Sequence, residues 1–315
     1  MTPAAETGAT AAGETRATAA AEIRTAEAHA KVNLRLRVFA RDETGFHGVE
    51  TLLARTSLSD TVTLSASGPE AGITLSVDGP LADGVPDGPE NLCWQAAERF
   101  LARAFGHRGR RAVHIRLTKR IPMGSGLGGG SADAGATLRL LADRWPRLDE
   151  SELVELAGEI GSDVPFALLG VPMALGWERG RRLLPLRPPR SRPALLVCPG
   201  IHVSTPEAYD WLGRTAQDAG AASVLPGATR LAEWDSLERL SRNDLEAPVL
   251  ARHPELSELL ERLRECDPAL AAMTGSGSTL FAIFRDEAER ARARRTVAAL
   301  ERAEGLRILD ASLPT

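Results

Sequence analysis

A chain of 315 residues is long enough to bury one large core or two. Hydrophobic residues make up 43% and charged residues 25%, the usual range for a soluble globular protein. A formal net charge of −4 argues against nucleic acid or an acidic membrane surface as the main partner.

Residues 1–28 are rich in Ala, Thr and Glu and lack an apolar signal core, so they read as a disordered leader. Order is expected from about Ala28, where Leu34, Leu36 and Val38 alternate with Arg35 and Arg37 as in a half-buried strand. Two further alternations, Val62 to Leu64 and Ile73 to Val77, bracket Gly68-Pro69 and predict a hairpin. Apolar residues at helical spacing (Ala96, Ala97, Phe100, Leu101, Ala104) predict a helix from Leu92 to Phe105. Val113, Ile115 and Leu117 predict a strand that leads through Lys119 and Pro122 into a glycine run and then a helix from Ser131. Asp149 with Glu152 is a capping-box pattern opening another helix, which Gly161 stops. Residues 187–193, rich in Arg and Pro, form the best candidate linker. Beyond them come a buried strand at 194–198, several helices to about Glu265, a second glycine cluster at Gly275 and Gly277, a strand at 279–284, a charged helix at 287–304 and a last strand at 307–310. The irregular alternation favours α+β over a doubly wound sheet. No internal repeat is present.

Several chemistries find no support. Cys93, Cys198 and Cys266 lack CxxC spacing and point to a reducing, cytoplasmic setting. Six histidines form neither HxH nor HExxH, so no zinc site is indicated. No apolar stretch approaches the ~18–20 residues of a spanning helix. The clusters Arg108-Gly109-Arg110-Arg111 and Arg179-Gly180-Arg181-Arg182 lack interleaved aromatics and read as solvated loops.

Two features do point to chemistry. Only two of the 38 basic residues are lysine, Lys31 and Lys119, and the rest are arginine. Lysine is a compact point charge where arginine is a wide fork, so both positions suggest a tight site for phosphate. The second feature is Gly124-Ser125-Gly126-Leu127-Gly128-Gly129-Gly130-Ser131, between a strand and a helix. Its glycines let backbone N–H groups approach a ligand, and the helix start adds unpaired donors and a positive dipole end. That is a phosphate cradle. Gly124-x-Gly126-x-x-Gly129 also fits the dinucleotide pattern, but the strand and acidic residue expected about 20 positions on are absent. A Walker loop is excluded because no Gly-Lys-Ser/Thr follows.

Together these residues resemble the GHMP superfamily of small-molecule kinases, whose hallmark Pro-x-x-x-Gly-Leu-Gly-Gly/Ser-Ser is matched by Pro122, Met123 and the loop to Ser131. The resemblance covers residues 29–312 and is strongest to the branch acting on a cytidine diphosphate-linked methylerythritol. Its motifs occur in order: Ala30-Lys31-Val32-Asn33-Leu34, Gly45-Phe46-His47, Asn91-Leu92, the glycine loop, Gly161-Ser162-Asp163-Val164-Pro165 and Thr274-Gly275-Ser276-Gly277-Ser278. It implies a two-domain α+β architecture of mixed sheets and helices: a leader at 1–28, an ATP-binding domain at 29–186 and a C-terminal domain at 187–315, with the active site in the cleft between them. The implied reaction is ATP-dependent phosphorylation of the substrate's 2-hydroxyl in non-mevalonate isoprenoid synthesis.

The resemblance assigns Asp163 as general base and Lys31 as the cation for the γ-phosphate and developing alkoxide. Backbone N–H groups from Gly126 to Ser131 hold the phosphates, Ser131 ligates or orients Mg²⁺, and Lys119 and Asn91 fall on the nucleotide side. Phe46 and His47 stack on and read cytosine. Asn33 fixes substrate or Lys31, Thr205 lines the cleft, and Gly275 and Gly277 bring the C-terminal loop close. Three departures stand out: His29 for the usual proline, Phe46 for tyrosine and Ala132 for the second serine. Another GHMP kinase (of mevalonate, homoserine or a sugar), a dinucleotide-dependent oxidoreductase and a silent nucleotide-binding module are the competing readings. Monomer and homodimer are both compatible with the sequence.

Overall fold

The computed structural model describes residues 22–315 except 42, 44, 46, 68–71, 107–110, 179, 181 and 214–226. Two long strands, β1 (Glu22–Arg41) and β2 (His47–Ser67), pair antiparallel and form the spine of a seven-stranded sheet. β1 begins at Glu22, six residues before the expected boundary, because Glu22 to Ala28 already pair with Ala66 to Asp60. The rest of the expected leader lies outside the described residues.

The expected hairpin across Gly68-Pro69 does not form. β4 (Ala112–Thr118) lies antiparallel on the end of β2, and β3 (Gly72–Asp78) lies outside it, parallel to β4. Burial explains this order. Val113, Ile115 and Leu117 of β4 are fully buried, whereas β3 keeps alternate residues exposed as an edge strand should. At the other end of β2, β5 (Met173–Trp177) pairs antiparallel and carries β6 (Arg182–Pro185).

α1 (Leu92–Phe105), α2 (Gly129–Arg144), α3 (Glu150–Ile160) and α4 (Val164–Leu169) cover this sheet. Phe100, Leu138 and Leu141 bury against Leu64, Ile115 and Leu117 in one apolar cluster. The Asp149 capping box is formed, with both reciprocal hydrogen bonds present.

A second, four-stranded antiparallel sheet runs in the order β11 (Arg307–Leu313), β7 (Arg192–Cys198), β10 (Leu280–Ile283), β9 (Leu270–Met273). α8 (Pro254–Arg264) and α9 (Glu287–Glu304) pack on it through Leu256, Leu260, Leu263 and Val297. α5 (Thr205–Leu212), α6 (Trp234–Leu240) and α7 (Glu246–Leu250) connect the two sheets. The halves are not separate cores. Ala30, Val32 and Leu34 of β1 bury against Leu196, Phe281 and Ile283 of the second sheet, and β8 (Arg242–Asn243) adds a parallel pair to β1. The architecture is α+β with mixed sheets, and a cleft opens where the two meet.

Candidate active site

A cavity of about 990 Å³ fills this cleft. The glycine loop forms its floor, and local contacts explain the loop's shape. Leu127 is fully buried, and its carbonyl accepts from the Lys31 backbone N–H at 2.9 Å, which pins the loop to β1. Ser125 closes the preceding turn by donating its hydroxyl to the Pro122 carbonyl at 2.7 Å. Gly128 caps α2 in the left-handed region at φ +73°, where its missing Cβ leaves room for the Lys31 stem at 3.1 Å. Since no side chain caps α2, the N–H groups of Gly129, Gly130 and Ser131 lack intrahelical acceptors and line the cavity. A sixteen-residue helix thus presents its positive end to the cleft.

Above this floor stand Lys31 and Asp163. The Lys31 ammonium lies 3.2 Å from Asp163 Oδ2 and donates to Asn33 Oδ1 at 2.9 Å. Lys31 is buried along its stem, while the Asp163 side chain keeps 31% of its surface open to the cleft. Asp163 occupies the N-cap position of α4 yet makes no capping hydrogen bond, so its carboxylate is committed to Lys31 and the cavity. Asn33 is held on all sides. Its Nδ2 donates to Thr51 Oγ1 at 2.8 Å, and its Oδ1 also accepts from Thr274 Oγ1 at 3.1 Å. That fixes the amide orientation and aims the ammonium.

The third glycine motif closes the site from the second sheet. A Cβ on Gly126 would meet the Gly277 carbonyl at 2.7 Å, so the two loops touch backbone to backbone. Gly275 lines the cavity beside Lys31, whereas Gly277 sits behind it against Met273. Thr205 and Ser276 join their hydroxyls at 2.8 Å across the rim.

Near the start of α1, Asn91 caps the helix: its Oδ1 accepts from Cys93 N at 2.9 Å and its Nδ2 donates to Pro86 O at 2.8 Å. Val85, Pro86, Leu92, Pro122 and Met123 give this end an apolar wall. Lys119 lies beneath Gly129, and its ammonium bonds the carboxylates of Asp60 and, at 2.8 Å, Asp133. Burial pulls the Lys119 ammonium down, but the two carboxylates outweigh it and hold its pKa above the ordinary lysine value. Burial pushes the Asp133 carboxyl up to about 8, Lys119 opposing the rise and Asp60 adding to it. Asp133 Oδ1 has no hydrogen-bond partner.

This arrangement has a stability consequence. Folded Asp133 keeps a proton that the unfolded chain releases near pH 4, so its contribution is complete below that and fades as pH rises to about 8. Asp133→Asn, which mimics the protonated form, should therefore gain stability over the parent at pH 8 and little at pH 5. Urea unfolding at both values checks this, and an equal difference at the two would contradict it.

At the far end of the cleft stands His47. Its Nδ1 bonds the Phe39 carbonyl at 2.6 Å and so carries the proton, leaving Nε2 to accept from Arg41 Nε at 3.1 Å. Tyr209 of α5 sits 5.5 Å from the His47 ring. Burial, aided by the Asp163 charge, pushes its phenol up to about 12. Phe46 lies outside the described residues. Tyr209 is absent from the sequence reading, although a signal existed: it is the chain's single tyrosine, one helical turn past Thr205.

The cleft thus gathers Lys31, Asn33, His47, Asp163, Thr205 and Gly275 around the glycine loop. The element after α2 is the helix α3 rather than a strand, so no βαβ unit surrounds the dinucleotide-like glycines.

Comparison with known proteins adds to this geometry. The family described as GHMP kinases N terminal domain matches residues 91–171, and GHMP kinases C terminal matches residues 224–302. A 4-diphosphocytidyl-2-C-methyl-D-erythritol kinase of Ruegeria pomeroyi is 38% identical over 85% of this chain and 91% of its own. One from Solibacter usitatus is 40% identical over 83% of each chain. Among solved structures, a 4-(cytidine 5'-diphospho)-2C-methyl-D-erythritol kinase superposes with a TM-score of 0.73 at 37% identity, covering 92% of this chain and 99% of its own. An L. major mevalonate kinase, in complex with R-mevalonate, shares the fold at a TM-score of 0.67 and 15% identity, covering 93% and 97% of the two chains.

Proposed function

The chain belongs to the 4-diphosphocytidyl-2-C-methyl-D-erythritol kinases of the GHMP group, and on that premise we propose how its cleft phosphorylates the 2-hydroxyl of that substrate with ATP. The reaction serves non-mevalonate isoprenoid synthesis. The observation that carries the residue assignment is the 3.2 Å Lys31–Asp163 pair at the edge of the α2 cradle.

An alcohol attacks poorly at neutral pH, and the transferring phosphoryl group spreads charge over three oxygens. The N–H groups at the start of α2 take the ATP tail. Asp163 accepts the hydroxyl proton as the oxygen attacks in line, and Lys31, aimed by Asn33, balances charge on the carboxylate and the phosphoryl oxygens. Mg²⁺, held with the help of Ser131, would supply further neutralisation of the phosphate charge. The donor set fits a cation that arrives with ATP and keeps its waters: the Ser131 hydroxyl borders the cradle, and no cluster of three acidic, His or Cys ligands occurs among the described residues.

The His47 end favours a planar base. Its Nε2 is the acceptor that the exocyclic amine of cytosine would take over from Arg41 Nε, with the Tyr209 ring beside it for stacking. A cleft for mevalonate or homoserine needs neither. A neutral hydrogen bond plus a ring contact is worth ~1–2 kcal/mol, so His47→Ala should raise KM for the cytidylyl substrate roughly 5- to 30-fold. KM for ATP should stay unchanged. A coupled assay offering the cytidylyl substrate, mevalonate and homoserine tests the reading directly: turnover of the first alone supports it, and preference for either other ends it. Among the described residues no helix is long and apolar enough to cross a membrane.

A further inference from the structure

The segment Arg242–Glu246 belongs to none of the motifs legible in the sequence, yet it ties the C-terminal glycine loop to the strand that carries Lys31. We infer that Asn243 is a positioning residue for phosphoryl transfer: its amide sets where the Gly275 loop stands against Lys31 and Asn33. This rests on the kinase reading above and adds a residue to it.

The amide's bonding capacity is the first observation. Nδ2 donates to the Met273 carbonyl at 2.9 Å and to the Gly275 carbonyl at 2.8 Å, which uses both of its N–H groups. Oδ1 accepts from Leu245 N at 3.0 Å, which fixes the side chain's orientation. An amide oriented in this way cannot be replaced by any smaller or purely accepting group.

The segment itself is anchored. β8 runs parallel to β1 at Arg35 and Leu36. Asp244 N donates to Leu36 O at 2.9 Å, and Asp244 Oδ2 accepts from Val38 N at 3.0 Å. Glu246 Oε2 accepts from Met273 N at 2.8 Å. Asn243 is therefore carried on backbone registered to the strand that bears Lys31 and Asn33, a few residues upstream.

What the amide holds completes the argument. A Cβ on Gly275 would stand 3.5 Å from Asn33 Oδ1 and 3.7 Å from Lys31 Nζ. The preceding Thr274 accepts from Asn33 N at 2.9 Å, and Gly277 presses its carbonyl against Gly126 of the phosphate cradle. The loop thus stands beside the ammonium, bonds its aiming residue Asn33 through Thr274 and abuts the cradle, and Asn243 holds the loop's root. A displacement of ~1 Å at such a point can cost about 100-fold in rate with little change in binding.

The test uses the full chain and its Asn243→Ala and Asn243→Asp variants. kcat and KM for ATP and the cytidylyl substrate are measured from pH 6 to 8, with unfolding midpoints alongside. Asn243→Ala should lower kcat roughly 10- to 100-fold and leave both KM values within about threefold. In Asn243→Asp a carboxylate faces two carbonyl oxygens, and only its protonated form restores one donor. Its kcat relative to the parent should therefore rise as pH falls, while the Ala ratio stays flat. Unfolding measured at each pH corrects kcat for the folded fraction, and a purely structural tie leaves no slope after that correction. Asn243→Ala with kcat within twofold of the parent, or a pH-independent Asp ratio, overturns the inference. Should Ala fail to fold, the Asp slope still decides. A parent chain that does not turn over the substrate instead fails the kinase reading, and this inference with it.

Discussion

Asn in place of Asp163 should lower kcat by about 10²–10⁴-fold while the KM for ATP moves no more than a few-fold. The amide is isosteric with the carboxylate and cannot take the hydroxyl proton. The ATP side is spared because the cradle is backbone: the N–H groups at the start of α2 do not change with residue 163. The ammonium loses its 3.2 Å partner but keeps its 2.9 Å bond to Asn33, so it stays aimed. Loss of the carboxylate therefore removes proton acceptance with little loss of geometry. Single-turnover kinetics with saturating ATP separates this from a slow product-release step. In the proposed mechanism Lys31 and Asp163 act as one unit, so combining Asp163→Asn with Lys31→Met should cost far less than the product of the two single losses. Near-normal turnover in Asp163→Asn, or full multiplicativity in the double variant, would remove the pair from its assigned role.

Local physics made part of this legible beforehand. The bounds of α1 at Leu92–Phe105 and α9 at Glu287–Glu304 follow from apolar periodicity and terminal signals, and the Asp149 capping box needs only residues three apart. Strand pairing is not local. The alternations at 62–64 and 73–77 announce two strands, but which one lies beside β2 depends on the burial that α1 and α2 offer 30 to 80 residues later. For the same reason β1 outruns its expected start: Glu22 to Ala28 have weak strand character and are ordered by pairing with β2.

At the site, the scarcity of lysine led to two positions whose ammonium groups turn out to be held by carboxylates. Composition could say that a compact charge is needed at Lys119, and it could not say that Asp60 and Asp133 surround it. Tyr209 and Asn243 escaped because neither lies in a glycine-rich motif and each matters only through neighbours remote in sequence.

Lys119→Met should cost ~3–5 kcal/mol of folding stability, the scale for removing one partner of a buried ion pair. Total stability of a domain is only about 5–15 kcal/mol, so a shift this large is plain in a urea curve. Only 4% of the Lys119 side chain is exposed, and Asp60 beside it is fully buried. Loss of the ammonium leaves the Asp60 carboxylate buried without its charged partner. The geometry makes that separable. Asp60 Oδ1 takes the backbone N–H groups of Arg120 and Ile121, while Oδ2 takes the ammonium. Asn at position 60 can keep the first pair through its carbonyl and turn its amide toward the lost cation. Asp60→Asn added to Lys119→Met should therefore recover at least half of the loss, and Asp133→Asn added instead should recover much less. Arginine offers no rescue: its planar fork would replace a compact charge already enclosed by Asp60, Asp133 and the backbone of Gly129. Lys119→Arg that unfolds with the parent, or a double variant with Asp60→Asn no firmer than Lys119→Met alone, would mean that the survival of lysine here has another cause than a buried point charge.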